Sequence, residues 1–142
     1  MENTLQIGDY MISVPLIDNN ETPTRGDVVV FTPPVSWGEA SGVTYVKRVI
    51  GVGGDTVECC DETGSVLLNG IPFKEPYLKN GLNNAGITYS YTVPEGYLFV
   101  LGDNRAESYD SRYHPADPFI PVSAVEGQPL MVIWPAEHWA VL

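Results

Sequence analysis

The chain has 142 residues, 44% of them hydrophobic, which suits one compact domain with a core of its own. Lys and Arg number 7 against 18 Asp and Glu, a formal charge of −11, so the surface should repel nucleic-acid backbones rather than bind them. No run approaches the roughly 20 apolar residues that span a bilayer, and residues 1–15 lack the basic flank and apolar block of a secretory leader.

Fourteen glycines and twelve prolines divide the sequence into short runs rich in Val, Ile, Tyr and Phe, and no segment keeps a helical period. The class is therefore all-β. Strands are predicted at Tyr10–Val14, Asp27–Phe31, Val43–Val52, Thr56–Cys60, Val66–Asn69, Tyr89–Val93, Tyr97–Leu101 and Pro129–Trp134, with Gly, Pro, Asn and Asp clusters between them. Asp61-Glu62-Thr63-Gly64 reads as a hairpin turn, and the polar, glycine-rich stretch 75–88 as a surface loop of the same excursion. Cys59 and Cys60, the only cysteines, should point to opposite faces of a strand and remain free thiols. With the distant His114 and His138 they offer no zinc-ligand spacing, so no metal is expected. Both histidines read as exposed, and Trp37, Trp134 and Trp139 as core or edge aromatics, with an exposed cluster able to touch lipid headgroups.

Two segments carry candidate chemistry. In Val43-Thr44-Tyr45-Val46-Lys47-Arg48-Val49-Ile50, strand alternation puts Tyr45, Lys47 and Val49 on one face. A lysine there can run its stem along the core edge, or it can be desolvated enough to lose its proton and act as a general base. Behind the apolar strand Tyr97–Leu101 lies the run Gly102-Asp103-Asn104-Arg105-Ala106-Glu107-Ser108-Tyr109-Asp110-Ser111-Arg112. Alone, it is ordinary turn chemistry.

Taken together and in order, Gly8-Asp9, Arg25-Gly26-Asp27 through Phe31, Tyr45 through Gly51 with Gly54-Asp55, and Gly102 through Arg112 resemble bacterial type I signal peptidases. These are membrane-bound serine proteases that remove signal peptides from exported proteins. The resemblance implies a fold of coiled antiparallel sheets, with a core of about 1–54 and 98–142 and a small inserted β-subdomain of about 55–97. It gives Lys47 the role of general base and Ser108 that of orienting its amine. Asp110 and Arg112 become an ion pair bracing the loop, and Gly102, Asp103, Asn104 and Arg105 support the site. Met1, Leu5, Met11, Val30, Tyr45 and Val46 fall where the family lines shallow pockets for small side chains, the Ala-X-Ala preference. No cofactor is implied, and the partners are preprotein signal peptides and the membrane lipid surface, at the extracytoplasmic face of the bacterial cytoplasmic membrane. A carboxylate directly beside Lys47 would raise its pKa, so Asp103 and Asp110 should be engaged elsewhere.

Two departures stand out. The family's nucleophilic serine precedes a Met-X-X-Thr-Leu-X-X-Gly-Asp segment, here Met1 through Asp9, so the serine would lie one position before Met1. The 142 residues by themselves are accordingly expected to be inactive, either because the numbering starts inside a longer protein with an N-terminal anchor upstream, the favoured explanation, or because this is a natural homologue that has lost its nucleophile. His114-Pro115 also stands where many relatives carry an aromatic residue and glycine. The competing readings are another Ser-Lys peptidase, such as a pilin maturase or a self-cleaving repressor, and a non-catalytic β-domain that binds peptides or proteins. No DNA-binding segment supports the repressor.

Overall fold

The computed structural model describes residues 1–2, 4–16, 22–78 and 86–142. Among these residues eleven strands are formed: β1 (Tyr10–Pro15), β2 (Val28–Phe31), β3 (Tyr45–Val52), β4 (Thr56–Cys59), β5 (Val66–Leu68), β6 (Ile71–Pro72), β7 (Tyr89–Thr92), β8 (Tyr97–Leu101), β9 (Ile120–Pro121), β10 (Val125–Trp134) and β11 (Ala140–Val141). A main antiparallel sheet runs β1-β10-β2-β3-β8-β9, with β11 also on β10, and a second sheet runs β6-β5-β4-β7. β6, β9 and β11 were not legible as strands, being two residues each and two of them ending in proline. β10 starts four residues before the predicted Pro129.

The unbroken apolar run of β8 buries the strand on both faces, as a central strand requires. Leu98 and Val100 join Val29, Phe31, Trp37, Val49 and Ile120 on one side. Phe99 and Leu101 join Ile50, Val57, Val66, Leu68, Tyr89 and Val93 on the other. The second sheet thus shares its core with β3 and β8. Gly51 permits this close packing, because a Cβ there would lie 2.5 Å from a methyl of Val57. Asp55 ties the same junction, accepting from Arg25 at 2.8 and 2.5 Å, from Asn69 Nδ2 at 2.9 Å and from the Val52 amide at 3.0 Å. Burial works to raise its pKa, but these bonds outweigh it and hold the carboxyl below its ordinary value.

Three expectations are corrected. Cys59 and Cys60 form a disulfide across a cis peptide bond. The alternation argument assumed one regular strand through both residues, whereas β4 ends at Cys59 and Cys60 lies beyond it. His114 is buried and stacks on Trp37, ring centroids 4.0 Å apart and planes 5° apart. Stacking on a core indole offsets the loss of water that a loop histidine would otherwise keep. The stretch 75–88 is not all surface: Leu78 and the Glu75 side chain are buried, and residues 79–85 lie outside the described residues. Trp37 is in the core, while Trp134 and Trp139 are exposed.

Candidate active site

β3 delivers Lys47 to the site, and β8 delivers the polar run. Pairing between the two strands begins at Arg48 opposite Leu101, after which the chain turns away at Gly102. The turn leaves room for the Lys47 amine, whose Nζ donates to Ser108 Oγ at 3.0 Å and lies 5.3 Å from the Tyr45 ring centroid. Ser108 is buried. Gly102 lies directly against this pair: a Cβ there would overlap the Ser108 hydroxyl, sit 2.5 Å from Ser108 Cβ and 3.6 Å from Nζ. Only glycine fits without displacing the serine.

The residues after Ser108 bond back onto β8 and the turn. Asp110 accepts from the Gly102 amide at 3.0 Å and from Arg112 Nε and Nη2 at 2.8 and 2.9 Å, with both side chains wholly buried. Arg112 Nη2 also donates to the carbonyls of Arg105 and Ser108, at 2.9 and 3.3 Å. Ser111 Oγ accepts from the Val100 amide at 3.0 Å. Ser108 is thereby held through its own carbonyl and through the bonds of its neighbours.

Both carboxylates near the amine are occupied. Asp103 takes the fork of Arg48 at 2.9 and 2.7 Å and a short bond from Thr4 Oγ1. Burial therefore decides the Lys47 titration: it pushes the ammonium pKa down, against weaker raising by Asp110 and Asp103, with Arg112 also lowering it. A lysine shifted in this direction holds more neutral amine at working pH and can accept a proton.

The N-terminal segment is pinned beside the pair. Thr4 reaches Asp103, and Asn104 Nδ2 donates to Glu2 at 3.1 Å and to Glu107 at 3.0 Å. The Met1 carbonyl accepts from the amides of Thr4 and Leu5. Leu5 is buried, and Val30 stands opposite Val46 across β2 and β3. Met11 lies in β1, opposite Val132 and separated from β2 and β3 by β10. Tyr45 is packed edge-on against Phe31 and bonds Glu39, and its phenol pKa is raised first by burial and then by that carboxylate.

Among the described residues no strand pairs with the β8-side edge of β3 before Arg48. Val49 exchanges backbone bonds with Asp27 and Gly26 on the β2 side, so alternation turns the N–H and C=O of Val46 toward the other side, where β8 has already ended. Among the described residues no three His, Cys, Asp or Glu side chains converge so as to hold a metal ion. The sequence reading missed Arg48, Thr4, Glu75 and Tyr77. Arg48 had a signal, a second cation in an apolar strand, whereas Glu75 reaches Arg105 across 30 residues and left no local pattern.

The antiparallel β-domain buries a lysine amine against a serine hydroxyl, with its nearby carboxylates held by arginines. The family described as "Signal peptidase, peptidase S26" matches residues 1–134. The chain is 34% identical to the probable signal peptidase I of Mycobacterium leprae, over 98% of this chain and 67% of that protein. It is 33% identical to signal peptidase I of Mycobacterium tuberculosis, over 100% of this chain and 64% of that one. The crystal structure of a signal peptidase I from Enterococcus faecalis superposes with a TM-score of 0.59 at 34% identity, covering 76% of this chain and 97% of that one. The chain belongs to the signal peptidase S26 family of serine endopeptidases, and spans about two thirds of the length of these curated relatives.

Proposed function

We propose that this chain is the catalytic domain of a type I signal peptidase that cuts signal peptides from exported preproteins after Ala-X-Ala. The serine that the family pattern places before Met1 is the nucleophile. The observation that carries the reading is the desolvated Lys47 amine bonded to Ser108 while both neighbouring carboxylates are occupied. Glu2 and Thr4, tied to Asn104 and Asp103, would hold the preceding residue close to that amine.

In this mechanism Lys47 takes the serine proton as the hydroxyl oxygen attacks the scissile carbonyl. The resulting ammonium gives the proton to the leaving amine as the carbon–nitrogen bond breaks, leaving an acyl ester. Lys47 then takes a proton from the water that attacks the ester carbonyl, and returns it to the serine oxygen as the ester carbon–oxygen bond breaks, restoring serine and amine. Ser108 orients the amine without adding charge, so it does not undo the lowered pKa. The extended substrate adds to the open β3 edge at Val46, with small side chains set against Tyr45, Val46, Val30 and Leu5.

The test is cleavage of an Ala-X-Ala precursor by a chain extended upstream to include the serine. Cleavage at that site, with a loss of about 10-fold or more in Ser108→Ala, is the expected result, the size following from the value of a positioned base. A folded, serine-bearing chain that leaves the precursor intact refutes the reading.

The same proposal places the domain against lipid, on the extracytoplasmic face and anchored by an upstream segment. Among the described residues no helix is long and apolar enough to cross a membrane. The sheet edge formed by β1, β10 and β11 exposes Tyr10, Ile12, Leu130, Trp134 and Val141, with Trp139 just before β11. Trp and Tyr favour the headgroup layer, and at a net charge of −11 these side chains rather than electrostatics must supply the affinity. Flotation with phosphatidylcholine vesicles should fall several-fold in Trp134→Ser/Trp139→Ser. Equal flotation would remove this edge from the lipid contact.

A further inference from the structure

The short segment 74–78 follows β6 and lies in neither sheet, yet Glu75 reaches the loop that carries Ser108 and Tyr77 reaches Arg48 of β3. Glu75, with a fully covered side chain, pairs with the buried Arg105 through both terminal guanidinium nitrogens, Nη1 at 3.2 Å and Nη2 closer. Arg105 Nε in turn donates to the Gly102 carbonyl at 3.1 Å. Gly102 is the residue packed against both Ser108 and Lys47. Glu75 is thus two hydrogen-bonded links from the backbone under the reacting pair.

Tyr77 closes the circuit from the other side. Its hydroxyl donates to Glu75 Oε1 at 3.0 Å, and its ring lies beneath Arg48, 3.9 Å from the guanidinium carbon. Arg48 follows Lys47 in β3 and forks onto Asp103, which follows Gly102. Burial, and then the Glu75 charge, raise the Tyr77 phenol above its ordinary value, so it remains a donor at working pH.

A buried ion pair is weak evidence of stability, because apolar residues of the same volume often serve as well. What this pair provides is a fixed direction for one carbonyl, and an error of about 1 Å near a reacting group can cost about 10²-fold in rate. We propose that Glu75 and Tyr77 are positioning residues for the Lys47–Ser108 pair, acting through Arg105 and Arg48 on the Gly102–Asp103 backbone. The inference rests on the Ser-Lys reading of the site.

The experiment compares Glu75→Gln and Tyr77→Phe with the parent in the serine-bearing chain, below the lowest thermal midpoint measured for the set. Glu75→Gln should lower kcat about 10- to 100-fold with KM changed less than about twofold, since the β3 edge that takes the peptide is untouched. Exposed Lys74→Ala should behave as the parent. In parallel, 13C-lysine NMR of the 142-residue chain follows the Lys47 titration, which needs no nucleophile. Tyr77→Phe retains the ring under Arg48 and the net charge, and should move that titration up toward the ordinary lysine value as water reaches the amine. A Glu75→Gln chain with the parental kcat, or a Tyr77→Phe chain whose Lys47 titrates as in the parent, overturns the inference. An inert parent refutes the peptidase reading instead, and the NMR titration then decides the positioning role by itself. Should Glu75→Gln not fold, Tyr77→Phe carries both readouts.

Discussion

Replacing Lys47 by methionine in the serine-bearing chain should reduce precursor cleavage about 10²- to 10⁴-fold, the usual value of a positioned general base, with little change in KM. Methionine fills the space of the stem but cannot accept a proton. The pH profile provides a second measurement. Burial lowers the Lys47 pKa, so kcat should rise with pH through that lowered value and level off before about pH 10.4, where a free lysine titrates. Stability follows the same sign: between the folded and unfolded pKa values the unfolded chain binds the extra proton, so stability increases as pH rises across that window. In Lys47→Met this part of the slope should vanish, and the folded state at neutral pH should no longer carry the cost of a desolvated ammonium. Full activity in Lys47→Met would sink the mechanism.

Arg112→Met should destabilise the domain by about 3–5 kcal/mol, the usual penalty for leaving one buried charge without its partner. Both side chains are wholly covered, so solvent cannot screen the orphaned Asp110. The change also frees the carbonyls of Arg105 and Ser108, so the serine should lose its orientation before the sheet unfolds. Urea denaturation measures the loss as a lower midpoint at an unchanged slope. Adding Asp110→Asn should restore part of it, because two neutral groups remove the uncompensated charge, and the double-mutant cycle then isolates the coupling. A single variant within about 0.5 kcal/mol of the parent would show that the pair braces nothing.

Much of the architecture was legible because it rests on local periodicity. The continuous apolar run of β8 marked a strand buried on both faces, and β3 carried a lysine among β-branched and aromatic residues. Short strands escaped for the opposite reason. Ile71–Pro72 and Ile120–Pro121 are too brief to show an alternation, and their pairing depends on neighbours elsewhere in the chain. The open edge at Val46 arises where β8 ends rather than from any residue in β3, so strand periodicity does not show it.

The run Gly102 to Arg112 was visible as a polar segment behind a strand, but its parts acquire separate tasks only in three dimensions. Asp110 turns inward to Arg112 and the Gly102 amide, while Asp103 turns toward Arg48 and the N-terminal turn. By itself the sequence determined the all-β class, the family resemblance and the pairing of Lys47 with Ser108 as candidates, because strand periods and ordered motifs are written locally. Tertiary structure alone decided that Cys59 bonds Cys60, that His114 stacks inside on Trp37, and that Glu75 reaches Arg105. Those outcomes depend on where β4 stops, on a loop's path over a core indole, and on two charges meeting across 30 residues, none of which a local pattern specifies.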